Sequence, residues 1–209
     1  MVALLSLTIV LGCVLSGAAS SFAEISPSEA DALRRADRGV YVAFCPAGQE
    51  AASTASVRRS PAAHLALASH AGWPPDECLK MDKGPTGESH ELIGLKNVHN
   101  WLLGGYGNDT IYGGNKGDVI WADYQPSGQS ESESDRIHAG EGADWIYSNH
   151  GFTEIWTGGG NDHIALVYGH GVIHCNGGGL KTFVMRYLPQ NRPWKLEGCS
   201  DKVIDRYRA

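Results

Sequence analysis

From residue 86 to residue 174 a large aliphatic side chain returns every nine residues. With GGYGNDTIY (104–112) as one row, a step of nine forwards gives GGNKGDVIW (113–121). Two steps backwards give LKNVHNWLL (95–103) and TGESHELIG (86–94). Eight residues, 122–129, interrupt the pattern, which resumes as SESESDRIH, AGEGADWIY, SNHGFTEIW, TGGGNDHIA and LVYGHGVIH, ending at His174. The eighth position then reads Ile93, Leu102, Ile111, Ile120, Ile137, Ile146, Ile155, Ile164 and Ile173. A polar, Gly-rich turn followed by a short strand with its middle residue pointing inward accounts for such a row, and two rows make one coil. The pattern predicts an all-β fold, a right-handed parallel β-roll (β-solenoid) with two facing aliphatic columns.

Outside the rows the pattern changes. Residues 1–23 are uncharged, apolar and then small, ending in Ser21-Phe22-Ala23, which reads as a signal peptide cut near Ala23. The alternatives are an uncleaved anchor and a lipidated Cys13 after Val10-Leu11-Gly12. Residues 24–85 are expected to form a small α/β capping segment. In it, Ser26-Pro27-Ser28-Glu29 starts a helix to about Arg38, residues 40–45 (VYVAFC) form a strand, and a short helix lies near 62–69. The roll is assigned to 86–185, with a strand at 182–186 (TFVMR), and a C-terminal cap to 186–209. Both caps are expected to stop end-to-end stacking.

Composition sharpens this division. Eighteen of the 27 glycines lie between 104 and 179, which marks that region as built of tight turns. The formal charge of −6 argues against nucleic acid or an anionic membrane as the main partner. Loss of the leader removes Cys13 and leaves Cys45, Cys78, Cys175 and Cys199, an even number that reads as two disulfides in an exported chain. Pairing Cys45 with Cys78 would staple a segment too small for its own core, and pairing Cys175 with Cys199 would pin the tail over the last coil.

The sixth position carries the candidate chemistry. It reads Glu91, Asn100, Asp109, Asp118, Asp135, Asp144, Thr153, Asp162 and Gly171. Aspartates stacked at this spacing repel one another unless a cation sits between them. Calcium suits the place, because it takes about six to eight hard oxygen ligands and Gly-rich turns can aim carbonyls at it. Turns two rows apart share an edge. Asn100, Asp118, Asp144 and Asp162 lie on one, where Asp118, Asp144 and Asp162 make the best metal edge, with up to two ions expected. The other edge holds Asp109 and Asp135, with Asp123, Glu131 or Glu133 from the 122–135 loop as candidate added ligands. The plainer alternative is that the aspartates cap backbone N–H groups without metal, as in Asx turns.

GGYGNDTIY matches G-G-x-G-x-D-x-U-x, U being a large aliphatic residue, and AGEGADWIY and TGGGNDHIA come close to it. These rows resemble the RTX, or haemolysin-type, calcium-binding repeat family. The resemblance implies a parallel β-roll with Ca2+ in the turns, held at Asp109, Asp118, Asp135, Asp144 and Asp162. Lys116, Thr153 and Gly171 depart from the motif, so partial occupancy is expected. VHNWLLGGYGNDTI, GDVIWADYQPSGQ and the late Gly-Cys are similar to small secreted actinobacterial proteins of this kind.

Positions seven and nine on one face read Trp101, Leu103, Val119, Trp121, Trp145, Tyr147, His163 and Ala165. Trp101, Trp121, Trp145 and Tyr147 form a candidate ligand-binding face for an extracellular glycan or protein; the alternative is that the N-terminal segment packs on it. Thr110, Tyr112, Arg136, His138, Glu154, Trp156 and His174, on the opposite face, are expected to be solvated. No H-E-x-x-H, G-x-S-x-G or P-loop occurs. The expected function is a secreted, monomeric calcium-binding protein with a structural or binding role and no catalytic residue. The alternatives are an adhesion module using the aromatic face and an enzyme with a site near 122–135.

Overall fold

The computed structural model describes residues 40–45, 73, 78–84, 87–123, 130–148, 150–166, 168–186 and 194–207. They form strands and turns, with no helix among the described residues. One sheet has the order β1 (Tyr41–Cys45), β2 (Cys78–Asp82), β4 (His99–Leu103), β6 (Val119–Trp121), β8 (Trp145–Ser148), β10 (Asp162–Leu166), β12 (Lys181–Arg186) and β14 (Lys202–Tyr207). The other runs β13 (Lys195–Glu197), β11 (His170–His174), β9 (Phe152–Trp156), β7 (Ser134–His138), β5 (Thr110–Tyr112) and β3 (Glu91–Ile93). The chain therefore alternates between the sheets strand by strand, and from β2 onward all pairings are parallel. This is the parallel β-solenoid that the nine-residue period predicts.

The core is the two aliphatic columns. Leu102, Ile120, Ile146, Ile164 and Phe183 pair in succession across one sheet. Leu92, Ile111, Ile137, Ile155 and Ile173 do so across the other, and all ten are fully buried. Burial of one such side chain is worth about 1.5–3 kcal/mol against exposure, so the repeated position organises the fold. One expected member is corrected: Ile93 is exposed and Leu92 takes its place opposite Ile111. Leu92 stands ten residues before Leu102 instead of nine, so the connection between β3 and β4 holds one extra residue, and that residue shifts the register by one. His90 rather than Glu91 then stands at the sixth position, donating its N–H to Asp109.

The solenoid is also longer than the rows. Upstream, β2 pairs in parallel with β4, with Met81 opposite Leu102; β1 adds antiparallel to β2 and brings Cys45 opposite Cys78. Downstream, β13 and β14 continue the two sheets beside β11 and β12, so the tail extends the stack. Cys45–Cys78 and Cys175–Cys199 are the two disulfides, each with a Cα–Cα distance of 4.9 Å. The leader and the expected helices, from Pro27 to about Arg38 and near 62–69, lie outside the described residues. Among those described, no helix is long and apolar enough to cross a membrane.

Candidate metal-binding turns

Each strand of the first sheet from β4 to β10 is entered through a turn that ends in a buried sixth-position residue, and these residues form a ladder. The backbone N–H of Asn100 donates to Asp118 Oδ1 at 2.7 Å, that of Asp118 to Asp144 Oδ1 at 2.7 Å, and that of Asp144 to Asp162 Oδ1 at 3.1 Å. The second edge does the same: His90 N–H donates to Asp109 Oδ1 at 3.0 Å and Asp109 N–H to Asp135 Oδ1 at 2.8 Å. One oxygen of every aspartate thus caps the coil before it, as the metal-free alternative requires.

The other oxygen is a different matter. Asp109 Oδ2, Asp135 Oδ2 and Asp144 Oδ2 are buried and have no hydrogen-bond partner. An unsatisfied buried carboxylate oxygen is costly, and burial accordingly pushes these groups toward their neutral forms. Burial raises Asp118 to about 7. Asp144 rises to about 10, first through burial and then through the charges of Asp118 and Asp162. Asp162 rises to about 6 by burial, held back by Lys181. Asp109 and Asp135 are also raised, by burial first; for Asp135 the charges of Asp123, Asp109 and Glu133 add to it.

Successive Gly-rich turns stack closely on one another. A Cβ on Gly158 (φ +67°) would lie 1.7 Å from the Gly140 carbonyl oxygen, and one on Gly160 (φ +93°) 1.7 Å from that of Gly142. Only glycine fits such a conformation with an oxygen so close. Among the described residues no group of three or more His, Cys, Asp or Glu gathers as a metal cluster. A cation here would be held by turn carbonyls plus the free oxygens of Asp109, Asp135 or Asp144, a donor set of hard oxygens that fits calcium.

Comparison with protein-family models matches residues 99–123 and 131–151 to the RTX calcium-binding nonapeptide repeat, in four copies. The chain carries RTX calcium-binding repeats. No curated protein and no solved structure matches it. RTX repeats bind calcium, and together with the solenoid they suggest a calcium-binding structural protein. The match ends at residue 151, ahead of the row that carries Asp162.

On the second edge the RTX pattern is broken in a defined way. Thr153 stands where the aspartate would, fully buried, and its hydroxyl pairs with that of Ser148 at 2.7 Å, so that turn closes on a neutral pair. Asp123 is buried and accepts the His150 N–H at 3.1 Å, Glu133 has a buried Oε2 without a hydrogen-bond partner, and Glu131 is exposed. Asp123 and Glu133 therefore lie with Asp135 in the RTX roll, and Glu131 does not.

Two further side chains of the turn stacks are not marked by the repeat pattern. Lys83 and Lys181 are buried, and each puts its ammonium on a motif aspartate, Lys83 on Asp109 Oδ1 at 2.8 Å and Lys181 on Asp162 Oδ2 at 2.5 Å. Lys181 pairs directly with Asp162 and so stands at the next aspartate position, but the nine-residue step places Leu180 there and hides it by one residue. For Lys83 the irregular first turn hides it.

The aromatic face of the RTX roll is not an open one. Trp101, Trp121 and Tyr147 are buried in a second cluster with Cys45, Cys78, Leu103 and Val119, and half-buried Trp73 and Trp145 pack against it. A ring so enclosed presents no face for a sugar to stack on, so the glycan-binding expectation finds no support at these three residues. The opposite sheet instead holds an ordered row: Tyr112, His138, Trp156 and His174 stack at 4.8, 4.3 and 5.0 Å. His174 closes it between Glu154 (3.1 Å) and Glu197 (3.0 Å).

Proposed function

We propose that this chain is exported and acts outside the cell as a calcium-stabilised scaffold, without catalysis. The observation that carries the reading is the set of buried, unpartnered Oδ2 atoms of Asp109, Asp135 and Asp144 in closely stacked Gly-rich turns. A protein with such groups gains stability from a hard divalent cation and is weakened where the cation is scarce. That couples its rigidity to a calcium-rich setting. The apolar leader at 1–23 and the two disulfides support an oxidising, extracellular destination.

Thermal melts in chelator and in calcium test the proposal. Calcium at about 100 times its dissociation constant adds about 2.7 kcal/mol, which for a chain of this size raises the melting temperature by about 5–11 °C. Superimposable melts in the two conditions would refute it.

A further inference from the structure

We infer that Lys181 is a resident cation, occupying with its own ammonium the position that an ion would take between the turns 157–162 and 175–181. Lys181 Nζ donates to the carbonyl oxygens of Gly158 (3.0 Å), Gly160 (2.8 Å) and Gly178 (3.1 Å) and to Asp162 Oδ2 (2.5 Å). Those four oxygens come from two successive turns. Three are backbone carbonyls and one is the motif carboxylate, the donor set that a hard cation needs. The residue is 1% exposed, so the ammonium has exchanged water for this cage. A buried ammonium without such partners would lose its proton or unfold its surroundings.

The other ends of the two turn stacks are also filled by donors from the chain. At the start of the first edge the Asn100 side-chain amide donates to Leu95 O and Val98 O (3.0 Å each) and to Asp118 Oδ1 (2.9 Å). At the start of the second, Lys83 Nζ donates to Tyr106 O and Asp109 Oδ1. Further along that edge stands the Ser148–Thr153 hydroxyl pair. The unpartnered oxygens of Asp109, Asp135 and Asp144 all lie inside these four closures. Free calcium is thereby confined to interior turns, and the last position of the first edge is charged by covalent attachment, independent of the calcium concentration.

The inference rests on the calcium reading of the neighbouring turns, and one experiment separates the two. Bound calcium per chain is measured by equilibrium dialysis and elemental analysis for the native protein, Lys181→Gln and Lys181→Asp, with melts in chelator and in calcium. The expected result is one more ion per chain in both variants, with a melting temperature below native in chelator that calcium restores. Equal, non-zero stoichiometry in all three proteins overturns the resident cation and leaves the calcium reading standing. No ion in the native protein but one in Lys181→Asp sustains the resident cation and refutes the reading of the interior turns; no ion in any of them refutes both. Amine acetylation of the native protein in chelator needs no variant to fold. Lys181 stays unmodified while exposed Lys195 and Lys202 react, and labelling of Lys181 at their rate overturns the proposal.

Discussion

Asp144 sits between Asp118 and Asp162 on the first edge, with Oδ1 on the Asp118 N–H and Oδ2 bare. Its carboxyl, like those of Asp118 and Asp162, has a folded pKa above the ordinary value of 3.8. Between that value and the folded one, the unfolded chain has already released protons that the metal-free fold still holds. Metal-free stability therefore falls as pH rises through this window. In chelator the melting temperature should drop from pH 5 to pH 8, the interval that spans the folded values of Asp162 and Asp118, and calcium should flatten the drop. Asp144→Asn keeps an oxygen for the Asp118 N–H and removes the repelling charge, so it should raise the chelated melt at pH 8 and shrink the calcium gain. A steeper decline with pH in the Asp144→Asn variant than in the native protein would contradict the assignment. The aspartates were legible because charge at a fixed phase is a sequence property. The division of each carboxylate into a capping oxygen and a bare one was not, because it depends on the coil stacked beneath.

The short strand of three to six residues is the element that builds the solenoid, and its stability comes from columns instead of from its own length. Ile146 is fully buried between Ile120 and Ile164. A carboxylate there would have neither water nor a partner, so Ile146→Asp should abolish cooperative unfolding in calcium and chelator alike, as circular dichroism during a urea titration would report. Retention of the native midpoint would remove Ile146 from the core. Where the rows are regular, nine-residue counting located the column members from Leu102 to Ile173. It failed at Ile93, because a longer turn moves the strand without altering its composition. The same limit hid the outer layer: position seven or nine points away from the roll, but only the placement of Trp73 and the Cys45–Cys78 pair reveals that Trp101, Trp121 and Tyr147 are covered.

At the scale of the molecule, the stack runs from β1 to β14 and carries a disulfide toward each end. Cys175–Cys199 spans 24 residues and ties the last turns to the coil beneath them. A loop of that size is worth about 3 kcal/mol, so Cys199→Ser should lower the melting temperature under oxidising conditions by about 6–12 °C. An unchanged melt would exclude a stabilising role for the bond. The pairing was legible from cysteine number and position. The continuation of both sheets through residues 194–207 was not, since their spacing no longer follows nine. The interruption at 122–129 shows the converse: Ile120 pairs with Ile146 and Ile111 with Ile137 as directly as neighbours without an insertion do. Coils are thus indexed by height along the stack and not by distance along the chain. Foreign peptide placed after Asp123 and before Ser130 should therefore leave the rungs above and below in register, a port for grafted sequence on a stacked scaffold.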